Sequence, residues 1–132
     1  MKQAADVGQK LLSDTHDWPN SWKSDQMDIP IGVGILNTVT PFLKALVDSG
    51  ASITTLRRHF NNVWLLGGEI IRQSNYDSGL RSLSPHDLVL HFLDEEGGPL
   101  SKHNSTEAEQ RSYDSSCRKV YQFFLTQGSK SQ

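Results

Sequence analysis

A single cysteine, few aliphatic side chains toward either end and no surplus of positive charge are the first scarcities the sequence shows, and each narrows what the chain can be. Cys117 has no second cysteine to join, so an internal disulfide is excluded. Thirteen Lys and Arg against fifteen Asp and Glu leave a net charge of −2, which excludes a global positive field drawing the protein onto nucleic acid or an anionic membrane. Long hydrophobic runs are also scarce. Gly32, Gly34, Asn37 and Lys44 interrupt the longest candidate, so no bilayer-spanning segment and no membrane partner are expected. Residues 1–15 lack the uninterrupted apolar stretch of a secretory signal, which makes a cytoplasmic location the expectation and leaves the acceptor-like Asn104-Ser105-Thr106 without consequence.

What is present fits one domain of 132 residues with one core. The hydrophobic fraction of 36% is unevenly spread, because residues 13–28 and 126–132 hold few aliphatic side chains and are expected to add little to that core. Three zones follow: residues 1–30 as a weak helix and partly mobile loop, 31–126 as a helical core domain, and 127–132 as a disordered tail.

Ala4, Val7, Leu11 and Leu12 make one weak helical face before the breaker-rich stretch from Asp17 to Trp22. Apolar residues from Ile31 to Val47 keep helical spacing, but Gly32 and Gly34 weaken the first turns. Thr40-Pro41 reads as a cap followed by proline at the first helical position, so the helix is predicted from Pro41 to Ser49, with a short irregular or β segment near 31–36. Gly50 ends it. Ser52 or Thr54 caps the next helix, whose apolar positions Ile53, Leu56, Phe60, Val63, Gly67 and Ile70 alternate at spacings of three and four. The rival for 63–71 is a hairpin turning at Gly67-Gly68. Ser84-Pro85 opens a helix predicted to reach Glu96, and Thr106 with Glu109 forms a capping box for a last helix that fades at Gln127-Gly128. The predicted fold is an all-α bundle of four or five helices.

Few strings suggest chemistry. Ala45-Leu46-Val47-Asp48-Ser49-Gly50-Ala51-Ser52 resembles the catalytic signature of retropepsin-like aspartic proteases, which implies Asp48 in a strand-borne tight turn sharing a proton with its mate from a second subunit. The resemblance covers eight residues, and the helical reading of 84–125 argues against it. The stretch Ser49 to His59 resembles the turn and recognition helix of MerR-like helix-turn-helix regulators. That resemblance implies Thr55, Arg57, Arg58 and His59, on the helix 53–62, as contacts to DNA bases and phosphates. A local surplus of two positive charges over 41–72 is a thin footprint for it, and the basic and aromatic wing of that family is missing.

Asp87, His91 and Asp94 lie on one helical face and with His86 could ligate a metal, with Asp14, His16 and Asp17 in reserve, but a solvated face explains them; no metal or cofactor is expected. Cys117 lies on the apolar stripe of the last helix and reads as an inert core thiol. Trp18 and Trp22 flank a turn, where they cover the core edge or form a partner surface. Asp94, Glu95 and Glu96, read as the end of a helix whose dipole disfavours them, pair with Arg111, Arg118 or Lys119 or offer a second partner surface. Well-formed packing faces without a complete catalytic set favour a non-catalytic interaction or regulatory module with a protein partner. The stripe from Ile53 to Ile71 adds self-association to the expectations.

Overall fold

In the computed structural model, which describes residues 4–101 and 104–130, the chain is an all-α bundle. Its helices are α1 (Ala4–Asp14), α2 (Trp18–Trp22), α3 (Asp28–Asp48), α4 (Ile53–Tyr76), α5 (Pro85–His91) and α6 (Glu107–Lys130). Single 3-10 turns, Thr15–Asp17 and Ser78–Ser82, join α1 to α2 and follow α4. Among the described residues there is no strand, only an isolated bridge between Asp94 and Gly97.

Local chemistry sets several of these boundaries. Ser52 Oγ accepts the Thr55 N–H at 3.2 Å and Ser84 Oγ the Asp87 N–H at 3.2 Å, so both caps satisfy donors that a first turn leaves unpaired. Thr106 Oγ1 accepts from Glu109 N–H at 3.1 Å while Glu109 Oε1 accepts from Thr106 N–H at 3.1 Å, a reciprocal capping box. Gly50, with φ at 77°, supplies the left-handed residue between α3 and α4.

α3 departs from expectation. The proline predicted to start a helix lies inside one: α3 runs unbroken from Asp28, and no irregular segment occupies 31–36. Proline removes the N–H that would meet the Asn37 carbonyl, a cost of about 3 kcal/mol in a helix interior. Both Pro41 and Asn37 are exposed, which leaves that carbonyl to solvent. Inward, Ile35, Val39, Phe42 and Leu43 are 4% exposed or less. Burying each contributes roughly 1.5–3 kcal/mol, so the packed face outweighs the local stop. Pro41→Ala is therefore expected to stabilise the fold by about 1–3 kcal/mol, read as a higher thermal midpoint by circular dichroism; an unchanged or lower midpoint contradicts this account.

The unbroken α3 also corrects the expectation of no bilayer-length apolar helix. By length and composition Asp28–Asp48 is long and apolar enough to cross a membrane, with a mean hydropathy of 1.4 in its most apolar window, 28% of which is buried in the fold. Continuity through Pro41 joins two short runs into one. In the bundle its inward stripe is core, packed against α1, α2, α4 and α5.

Three further boundaries move. Residues 63–71 are helix rather than hairpin. α5 ends at His91, five residues short of Glu96, because Asp94 folds back: its Oδ1 accepts the N–H groups of Glu96 and Gly97 at 2.8 and 3.1 Å, closing a turn at Gly97, whose φ is 147°. α6 continues through Gly128 to Lys130, past the end expected at Gln127-Gly128; of the tail expected over 127–132, residues 131 and 132 lie outside the described residues.

Residues 13–28 contribute more than their composition suggests. Trp22 is 8% exposed, inside the core cluster, and Asp28 is 1% exposed. The Asp28 carboxylate accepts from the Ser24 and Asp25 N–H groups at 2.9 and 3.1 Å and from Arg81 Nη2 at 2.8 Å, tying the start of α3 to the 3-10 turn after α4. Burial pushes this carboxyl up, but those hydrogen bonds outweigh it and bring it down to about 2.

Candidate functional site

The sequence holds three tryptophans, and the fold brings all of them to one region. Trp22 reaches α4 because α4 has no side chain in its way. A β-carbon on Gly67 would lie 2.2 Å from Cζ2 of the Trp22 ring, so the indole fills the slot that Gly67 and Gly68 leave open. Trp22 Nε1 donates to the Trp64 carbonyl at 2.9 Å, and Trp64 Nε1 donates to Ser21 Oγ at 2.9 Å. Trp18 lies 5.8 Å from Trp22, ring centre to ring centre, and stands edge-on to Phe60. α2 is thus stitched to α4 by interlocked indoles.

Two clefts open on either side of Trp64. The first, about 350 Å3, is lined by Trp22, Trp64, Leu65, Ile71 and Tyr76 with Ser21, Ser24, Glu69, Arg72 and Asn75 among them. Glu69 Oε1 accepts from Arg72 Nε at 3.1 Å, from Arg72 Nη2 and from Gln73 Nε2 at 3.3 Å. The Arg72 guanidinium, held further charged by Glu69, lies 6.0 Å from the Tyr76 ring centre. The second cleft, also about 350 Å3, is lined by Leu11, Asp14, Trp18, Arg57, Phe60, Asn61 and Trp64. Asp14 there is paired with Lys10 at 3.0 Å.

Of the residues singled out from the sequence, the fold brings Asp14, Trp18 and Arg57 together at the second cleft and disperses most of the others. Trp22 lines the first cleft and Trp18 the second. Asp48 ends α3 as an exposed helical residue, not in the extended turn the retropepsin resemblance implies. Arg57 and Arg58 are exposed and Thr55 half-buried, but His59 is 1% exposed and faces α6 rather than any groove of DNA. Asp94, Glu95 and Glu96 occupy the turn after α5, not its helical end, and Arg118 Nη1 meets the Glu96 backbone carbonyl at 3.2 Å rather than a carboxylate. Arg111 pairs instead with Glu107. Among the described residues no three His, Cys, Asp or Glu side chains converge on a metal-sized site; of the four candidates His86, Asp87, His91 and Asp94, His86 Nδ1 lies 3.7 Å from Asp87 Oδ1 as an exposed pair. Cys117 is 1% exposed, with burial pushing its thiol up to about 12. Leu56, Phe60, Val63 and Ile70 are 2% exposed or less, so these positions of the Ile53 to Ile71 stripe are packed in the core of one chain.

Two features escaped sequence reading. Glu69 looks like a solvent residue flanking the α4 stripe, yet it is 3% exposed at the first cleft. The second is a polar seam between α4 and α6. Asn62 Nδ2 donates to Ser116 Oγ at 2.9 Å and to the Ser112 carbonyl at 3.1 Å, while Ser116 Oγ lies 2.7 Å from His59 Nδ1. Asn62 donates into one lone pair of that hydroxyl, and the direction of the bond between Ser116 Oγ and His59 Nδ1 follows the imidazole tautomer. Polar residues spaced by three on α4 (His59, Asn62) and by four on α6 (Ser112, Ser116) are the signal that could have revealed it.

Burial first, then the charges of Arg58 and Lys119, bring His59 down from 6.5 to about 4. The unfolded chain therefore binds this proton before the folded one, so the contribution is complete above pH 6.5 and is lost as pH falls toward 4. The loss reaches about 3 kcal/mol. Urea unfolding at pH 7 and pH 4.5 should show it, and His59→Gln should flatten the dependence across that interval. An unchanged slope in that variant contradicts the assignment.

No protein-family model, curated protein or solved structure matches the chain.

Proposed function

We propose that the protein is a non-catalytic interaction module that holds a segment of a protein partner across the two aromatic clefts. The observation that carries this reading is the gathering of every tryptophan in the chain around adjoining hollows that share Trp64 as their common wall. The Trp22 and Trp64 N–H groups are bonded inside the protein, which fixes both rings before anything binds and spares the ordering cost that a loose surface would incur. Large aromatic and arginine side chains are also those that dominate interface energies. Each hollow lies near the lower end of roughly 300–1,000 Å3, the usual range for enclosed ligands, and suits a side chain rather than a cofactor.

Trp64→Ala is expected to weaken partner binding by about thirtyfold or more while circular dichroism shows the helices retained. Undiminished binding in that variant would overturn the reading. The rival, DNA contact through Thr55, Arg57 and Arg58, is favoured by the exposure of the two arginines. It predicts salt-sensitive retention on heparin that disappears in Arg57→Ala/Arg58→Ala and is indifferent to Trp64.

A further inference from the structure

We infer that the first cleft is a socket for a tryptophan or tyrosine side chain of the partner, selected over purely apolar residues by Glu69 Oε2; this rests on the interaction-module reading. The Glu69 side chain is 2% exposed and lines the first cleft. Oε1 takes the hydrogen bonds from Arg72 and Gln73, and no described residue donates to Oε2. Oε2 is not sealed either, because the described buried side-chain polar atom left without a partner is the Tyr113 hydroxyl.

Glu69 lines the first cleft, so its remaining oxygen is placed toward the hollow between the rings of Trp22, Trp64 and Tyr76. Arg72 already balances the carboxylate's charge, so the cleft calls for a neutral donor on a flat apolar body rather than for a cation. Indole N–H and phenol O–H have that form. A guest that fills the cleft without a donor strips Oε2 of solvent and leaves it unpaired, which a buried acceptor tolerates poorly. The second cleft continues beyond Trp64 and gives a neighbouring residue of the same segment a seat, which favours a peptide over a free small molecule.

The test titrates indole, N-methylindole and acetyl-Trp-Gly-Leu amide into the full isotope-labelled chain and follows the indole N–H resonances of Trp18, Trp22 and Trp64. Indole is expected to move Trp22 and Trp64 and to bind about tenfold more tightly than N-methylindole. The advantage disappears in Glu69→Gln, whose amide oxygen stays on Arg72 and whose N–H2 turns to the cleft. The peptide additionally moves Trp18 and binds more tightly than indole. N-methylindole binding as well as indole overturns the selection by Oε2 while leaving the module intact. Indole binding as well as the peptide overturns the partner side chain as the source. Silence of Trp22 and Trp64 toward every probe overturns the socket and the module together.

Discussion

Gly67→Ala is expected to cost about 3 kcal/mol, although alanine is the better helix former by about 1 kcal/mol. The added methyl would stand 2.2 Å from a ring carbon of Trp22, a separation no pair of carbons sustains, and the ring cannot slide because its N–H is held by the Trp64 carbonyl. Either the indole leaves its slot or α2 lifts from α4. For a chain of this length the loss lowers the thermal midpoint by about 10 °C. Removing the ring should reverse the sign. Trp22→Ala alone costs roughly 3–5 kcal/mol, and in that background Gly67→Ala becomes neutral or mildly stabilising because only the helix preference remains. A Gly67→Ala protein within half a degree of the wild-type midpoint would show that the slot is not filled as described.

The second large effect belongs to the carboxylate at the start of α3. Asp28→Ala removes the acceptor for two backbone N–H groups and the ionic partner of Arg81, which also donates to the Ser74 carbonyl and the Asn75 side chain. Breaking a buried pair by deleting one member costs about 3–5 kcal/mol, far more than an exposed pair such as Lys10 with Asp14. Denaturant unfolding checks the difference: Asp28→Ala should shift the midpoint severely and Lys10→Ala hardly at all. Because the folded Asp28 pKa lies below its ordinary 3.8, its contribution is present above that value and is lost only as pH falls toward about 2. Acid titration therefore separates it from His59, whose contribution fades at higher pH.

Much of the helical architecture can be read from the sequence because caps and apolar spacing are local properties. Ser52, Ser84 and the Thr106 with Glu109 pair act where they stand, and the α4 stripe needs only a period of three to four residues. The misreadings occur where distant packing overrules local preference. Pro41 stays in a helix because the face opposite it is buried, and Asp94 ends α5 by hydrogen bonds that a periodicity count does not contain.

The clefts were legible only in part. Trp18 and Trp22 stand out in the sequence as a candidate surface, and two glycines on a helix suggest a close approach. What approaches is a ring from α2 rather than a neighbouring backbone, and that depends on the fold. The burial of Glu69 and His59 is not legible in the sequence, because charged and polar types imply solvent until their partners across the bundle are known.

The cysteine turns an architectural detail into a clock. A β-carbon on Gly98 would come within 2.6 Å of Cys117 Sγ, so the loop after α5 lies directly over the thiol. Covered in this way, and raised to about 12, the thiol supplies no accessible thiolate to attack a disulfide reagent in the closed protein. Its slow labelling counts how often that loop lifts away, without a probe having to be introduced.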